Sequence, residues 1–362
     1  MRSCYIHIPF CEKICSYCDF CKMFYNEKLV DKYLDKLDEE ISSIYKGDEL
    51  YTLYIGGGTP SSLNLNQLER LFSITDKLNK NSNIEFTIEC NFSNTTKEKL
   101  ELFKKHGVNR ISFGLETTSS KQLLFLERDE DQERTREIIN EARNIGFNNI
   151  NVDLMYALPN ETITDLKNDL EFINSLNVEH VSCYSLIIEE HTKLSINDIK
   201  NIDSELDYDM YLEICKFMKD NGFNHYEISN YSKEGFESKH NLVYWNNDEY
   251  YGFGLGASSY LDNKRCTNTR SISNYLKGSY LLEEEILEKE DLVYYEIMLN
   301  LRKSSGIDLD KLYSLYNVRL DYEELIDLGL LNLNNNKLYI PEDKWYISND
   351  IIIRLLEGVR YE

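Results

Sequence analysis

Short apolar runs alternate with longer amphipathic stretches over the first half of the chain, at intervals of roughly thirty residues. The runs are CYIHI (4–8), LYTLYIGG (50–57), IEFTIEC (84–90), RISFGLE (110–116), INVDLMYAL (150–158) and HVSCYSLI (180–187). Between them, residues 30–45, 66–78, 96–107, 133–146 and 163–176 carry apolar positions at helical spacing. Strand, helix, strand repeated in this way predicts right-handed crossovers and a parallel sheet. The expected fold class is α/β, a partial (β/α)6 TIM-like barrel. After about residue 265 the pattern changes to helical stretches (290–303, 309–316) and a hairpin-like end (330–347). This predicts a small, mainly helical, winged-helix-like domain at 265–362, following a barrel domain at 1–264.

In such barrels the chemistry sits on loops at the C-terminal ends of the strands. The chemically distinctive stretches fall there. CEKICSYC (11–18) follows the first run, GGGTP (56–60) ends the second, ECN (89–91) the third and GLET (114–117) the fourth, while Asp153 lies in the fifth.

Composition narrows the classes of function. A formal charge of -23 argues against nucleic acid, which needs clustered Lys and Arg, and against a broad dock on anionic lipid. The opening lacks the apolar run of a signal peptide, and no stretch approaches the ~20 apolar residues of a membrane span. A cytoplasmic chain with no stable membrane insertion is expected. Nine cysteines, an odd number, in a reducing compartment suggest metal or cluster ligation wherever they are grouped.

Cys11, Cys15 and Cys18 are grouped. Four thiolates complete a structural zinc site or an ordinary four-iron cluster, whereas three leave one iron open to a ligand. On the residues alone, zinc with Cys21 or a histidine as fourth ligand, or three packed thiols, remain alternatives. Consecutive glycines after a strand allow close approach of backbone to a ligand, or make a plain tight turn.

The spacing CxxxCxxC with Tyr17 before the last cysteine, on the first loop of a (β/α) barrel, resembles the radical S-adenosylmethionine superfamily. With YIHIPFC, GGGTP, TIECN, SFGLE, NVDLMYALP and YEISNYS, the resemblance spans about residues 4 to 260. It narrows to the oxygen-independent coproporphyrinogen III oxidase-like group. It implies a [4Fe-4S] cluster on Cys11, Cys15 and Cys18, its open iron chelated by S-adenosylmethionine. It also implies a cofactor pocket lined by Tyr5, Tyr17, Gly57, Gly58, Thr59, Glu89, Glu116, Arg128 and Asp153. Glu89 and Asp153 are suited to a ribose or an ammonium, and Arg128 to a carboxylate. The chain departs from the group at Glu116, where Gln is usual, at Ala157, where Gly is usual, and at Glu127-Arg128-Asp129-Glu130, where the group has Gly-Arg-x-His.

HNLVYW (240–245) resembles the HNxxYW mark of the heme-chaperone branch of that group. The resemblance implies His240 as an axial ligand of heme iron, beside the flat surfaces of Tyr244 and Trp245. A hydrogen-bonded loop packed under the barrel is the plainer alternative. The oxidase branch has a longer N-terminal extension and a fourth cysteine two residues after the third; here the extra thiol, Cys21, follows Cys18 by three. The function expected is delivery of heme to an apo-protein acceptor, with room for a homodimer and with no catalytic residue assigned. The alternative is a coproporphyrinogen III dehydrogenase or another radical enzyme acting on a tetrapyrrole.

Overall fold

The computed structural model describes residues 2–362. Strands β1 (Arg2–Ile8), β2 (Leu50–Gly57), β3 (Lys80–Asn91), β4 (Arg110–Glu116), β5 (Ile150–Tyr156) and β6 (His180–Ser185) lie side by side in chain order, each parallel to the next. Helices α1 (Glu27–Ile44), α2 (Leu65–Thr75), α3 (Lys97–Lys105), α4 (Ser120–Leu126), α5 (Gln132–Ile145) and α6 (Ile163–Ser175) fill the crossovers. This is the partial (β/α)6 barrel expected from the sequence. Of these six helices α4 was not anticipated, because seven residues (SKQLLFL) are too few to show a helical period.

Local signals agree with the elements. Asn64 with Gln67 and Thr162 with Asp165 close capping boxes at the starts of α2 and α6. Along β4, Ile111, Phe113 and Leu115 enter the apolar core, whereas Arg110, Ser112, Gly114 and Glu116 line the barrel interior. The period of two thus separates a packing face from a polar face that opens on a cavity.

Beyond β6 come α7 (Ser204–Asp220) and the hairpin β7 (Asn224–Glu227) and β8 (Asn230–Ser232), with β8 antiparallel to β6. After α8 (Lys239–Trp245), strand β9 (Tyr250–Phe253) returns to the opposite flank and pairs parallel with β1. An antiparallel meander of β10 (Ser258–Leu261), β11 (Lys264–Asn268) and β12 (Leu281–Ile286) extends that edge. A division at 264/265 would cut β11. The first core runs on to Tyr275 and the second gathers Val293 to Leu355, so the change of core lies between them. The meander reads as loop in the sequence because its strands are short and β12, LLEEEI, is exposed throughout.

The second domain contains α9 (Lys289–Asn300), β13 (Ile307–Asp308), α10 (Leu309–Tyr316), β14 (Val318–Leu320), α11 (Glu323–Asp327), β15 (Asn332–Asn334), β16 (Lys337–Tyr339), α12 (Ser348–Glu357) and β17 (Val359–Tyr361). Helix, strand, two helices and a hairpin, with sheet order β13-β16-β15, is winged-helix connectivity. Its α11 carries Glu323, Glu324 and Asp327, a face that repels phosphate. No described helix is long and apolar enough to cross a membrane.

Two departures from the group, Ala157 and Glu127, put a side chain at a left-handed position where the group has Gly. Ala157, directly after β5, has φ 60°, a left-handed conformation that costs a non-glycine residue about 1–2 kcal/mol. Ala157→Gly is expected to raise stability by about 1 kcal/mol, less what glycine's freedom costs in the unfolded chain. The reading is a higher urea midpoint at unchanged m-value.

Candidate functional site

Cys11, Cys15 and Cys18 line one cavity of about 390 Å³ at the barrel mouth, within the size range of small-molecule sites. Their loop is pinned on both sides. Ser16 N–H and Oγ donate to the carbonyls of Leu126 (3.2 Å) and Phe125 (3.0 Å), and Leu194 N–H donates to Ser16 O (3.3 Å). The unforeseen helix α4 is therefore part of the loop's support. Thr59 Oγ1 donates to Cys11 Sγ and Arg128 Nη1 to Cys15 Sγ, each at 3.6 Å. Burial pushes the Cys11 thiol up to about 11 and raises Cys15 and Cys18 as well. Ligation as thiolate therefore releases protons from this loop.

The three thiols share a cavity without gathering around one point. Among the described residues, no set of three or more His, Cys, Asp or Glu side chains is arranged to hold a single metal ion. A lone zinc ion needs its thiolates drawn together, whereas a four-iron cluster takes them at separate corners. Cys21 does not line the cavity that the other three share. It lines a neighbouring cavity, with Sγ 4.0 Å from Arg270 O.

Each glycine of GGGTP sits where a side chain has no room. A Cβ on Gly57, which has φ 116°, would lie 2.4 Å from the His7 ring, and one on Gly58 would lie 2.8 Å from backbone of Pro9. The amides are already committed: Gly57 N–H to Glu89 Oε2 (2.8 Å), Gly58 N–H to Ile8 O and Thr59 N–H to Phe10 O (2.9 Å each). Carbonyl oxygen is what this loop has left to present, and it suits an ammonium group rather than an anion.

Arg128 is reached through a helix terminus. Glu127 ends α4 in the left-handed conformation (φ 58°), and Arg128 N–H donates back to Leu123 O at 2.9 Å, a turn that aims the side chain into the barrel. There Nε and Nη2 hold both oxygens of Glu130 (3.0 and 2.7 Å), Nη2 also donates to Gly114 O (2.8 Å), and Nη1 lies 3.3 Å from the Tyr17 hydroxyl and 3.4 Å from Glu116. The guanidinium expected to take a ligand carboxylate is thus occupied by the chain's own. The histidine of the group has become Glu130, and the arginine pairs with its replacement. Burial raises Glu116 although Arg128 opposes it.

Glu89 and Asp153 face each other across the same cavity. Glu89 accepts from Tyr54 OH (2.8 Å) and Gly57 N–H, and Asp153 accepts from Asn151 Nδ2 (2.7 Å). Burial pushes Glu89 up to about 7 and raises Asp153. Glu161, in the loop after β5, is pushed by burial to about 8 from the ordinary 4.5, and Glu227 to about 7. An acid whose folded value is raised contributes stability below its unfolded value, and that contribution is lost as pH rises through the folded value. Stability of the cluster-free chain is therefore expected to fall from about pH 5 to pH 8. Glu161→Gln should flatten that decline in a pH series of urea melts.

A second cavity, about 490 Å³, adjoins the first and shares Phe20, Tyr54, Glu89 and Asn241 with it. Tyr5 lies there, its hydroxyl 2.9 Å from His7 Nδ1, while His7 Nε2 donates to Cys21 O at 2.7 Å. His240, on α8, borders this cavity but offers no free nitrogen. Nδ1 is 2.6 Å from Thr52 Oγ1, Nε2 is 2.8 Å from Tyr244 OH, and the ring stacks on Tyr54. Burial, with the charge of Arg110, pushes its imidazole down to about 3, so it is neutral. In either tautomer, ligation of heme iron at Nε2 requires the Tyr244 bond to open.

Reading by motif missed Arg110, Tyr54, Asn151 and Ser182, all of which line the first cavity. The signal was present in RISFGLE and INVDLMY, where polar residues recur at every second position.

Comparison with known proteins agrees with this geometry. Residues 5–173 match the radical SAM superfamily. Heme chaperone HemW of Lactococcus lactis is 36% identical over 369 residues, covering 98% of this chain and 97% of its own length. Heme chaperone HemW of Bacillus subtilis is 36% identical over 371 residues, covering 97% and 98%. The coproporphyrinogen III oxidase HemN of Escherichia coli shares the fold, with a TM-score of 0.87 at 22% identity over 97% of this chain and 89% of that one. The chain belongs to the radical SAM superfamily, which implies a [4Fe-4S] cluster and S-adenosylmethionine, and three thiols on one loop fit such a cluster. Within the superfamily it is a member of the HemW family, across both domains.

Proposed function

We propose that this chain is a heme chaperone. Cys11, Cys15 and Cys18 hold the cluster, the first cavity takes S-adenosylmethionine, and heme binds beside the HNLVYW helix before passing to an apo-protein acceptor. The observation that carries this reading is the similarity to HemW proteins along nearly the whole chain. When bound, the cluster supplies a one-electron centre with one iron free of protein ligand. The chain's own residues do the placing. Gly57 and Gly58 let the backbone approach the cofactor, the Glu89 and Asp153 carboxylates suit its ammonium or ribose, and Tyr17 walls the cavity. Tyr5 orients His7 in the adjoining space, and His240 is the iron ligand once Tyr244 releases it.

An anaerobic hemin titration of the cluster-reconstituted protein and of His240→Ala tests this. Saturable, roughly stoichiometric binding in the wild type, weakened or spectrally altered in the variant, is the expected result. Unaltered binding in the variant removes His240 as ligand. Absence of binding in both removes the chaperone reading, and turnover of coproporphyrinogen would then point to the radical-enzyme alternative.

A further inference from the structure

Four cations line the barrel cavity, and three of them are satisfied. Lys13 pairs with Asp129, Lys22 donates to Cys18 O, and Arg128 is held by Glu130 and Glu116. Arg110 is the exception. Its residue is 2% exposed, its Nε has no hydrogen-bond partner, and among the described residues its side chain makes no hydrogen bond or ion pair. A buried Nε–H without an acceptor is costly, and the guanidinium borders the cavity without a protein hydrogen bond, so the position calls for an acceptor that the chain itself does not supply.

The place of Arg110 in the fold says which acceptor. It opens β4 opposite Thr87 of β3, four residues before Gly114. At about 3.3 Å per residue this is roughly 13 Å below the mouth where the cysteines lie. Asn151, opposite Ser112, and Ser182, opposite Asp153, line the cavity between Arg110 and the mouth. The charge of Arg110 is felt by His180 and His240, and Asn241 of the HNLVYW helix lines the cavity with it. Its charge also acts on Tyr54 and Glu89, which border both cavities, and on Asp153, so Arg110 stands where the two cavities meet.

The geometry points to Arg110 as the carboxylate anchor of the barrel, holding a propionate of the bound tetrapyrrole in a charge-assisted pair at the junction of the two cavities. This rests on the heme-chaperone reading and deepens it. A planar fork of donors matches a carboxylate bidentately, and Arg110 is the cation here that does not already hold a protein acceptor.

The test compares hemin with hemin dimethyl ester, in which both propionates are masked, on the full-length wild type and on Arg110→Gln. Thermal melts of the variant and S-adenosylmethionine binding by the reconstituted proteins accompany it. The wild type is expected to bind hemin about 10- to 100-fold more tightly than the ester. The variant should bind hemin about as weakly as the wild type binds the ester, with no difference left between hemin and ester. Equal wild-type affinity for hemin and ester overturns the proposal without any variant and leaves heme binding standing. Discrimination retained by a folded variant does the same. Loss of S-adenosylmethionine binding with hemin binding intact assigns the carboxylate to that cofactor and also overturns it. Absence of saturable hemin binding in the wild type removes the chaperone reading and this inference together.

Discussion

Cys15→Ala should abolish the cluster. After anaerobic reconstitution, iron and acid-labile sulfide should fall to background, because two thiolates leave two irons of a four-iron cluster without a protein ligand. The apo-protein should remain folded. Cys15 is half-buried at the mouth and belongs to neither apolar core, so the change in its unfolding free energy should stay within about 0.5 kcal/mol. Cys21→Ala makes the matched control, since that thiol faces the neighbouring cavity; it should keep wild-type iron and sulfide. A Cys15→Ala protein that retained its iron, or a Cys21→Ala protein that lost it, would show that the ligand set is drawn wrongly.

Arg128→Met should produce the largest loss of stability of any single change near the site. The side chains of Arg128, Glu116 and Glu130 are 7%, 10% and 4% exposed. Removing the guanidinium leaves two buried carboxylates facing each other unpaired, and breaking a buried pair in this way costs about 3–5 kcal/mol. Urea unfolding of the cluster-free protein measures it. The loss should depend on pH with a definite sign. Without the cation that opposes the effect of burial, the Glu116 carboxyl titrates higher in the folded chain, so the variant is least stable at high pH and recovers as pH falls and Glu116 protonates. Arg128→Met also deletes the donor to Cys15 Sγ and the contact with Tyr17, so cluster yield should drop alongside. A loss under 1 kcal/mol, or one independent of pH, would mean that the triad is not the electrostatic unit described.

The alternation of apolar runs and amphipathic stretches was enough to specify the barrel, its strand order and its winged-helix tail. Period and handedness leave few ways to stack such units. The cysteine spacing, GGGTP and HNLVYW were legible for a related reason. Each is a local stretch whose chemistry is written in consecutive residues on one loop or helix.

What the chain order could not show is which charges meet. Arg128 lies twelve residues after Glu116 and two before Glu130, yet only the left-handed turn at Glu127 aims it between them and away from a ligand. His240 reads as a free imidazole until Thr52, 188 residues away, is seen to hold one nitrogen and Tyr244 the other. Arg110 reads as one more polar position in a strand, and its lack of a partner is a property of the whole barrel interior. The sequence by itself determined the six barrel strands, most of the helices between them, the loop that groups three thiols, and the family. Only the tertiary structure decided which buried charges are satisfied, because satisfaction depends on distances between strands that the sequence places far apart.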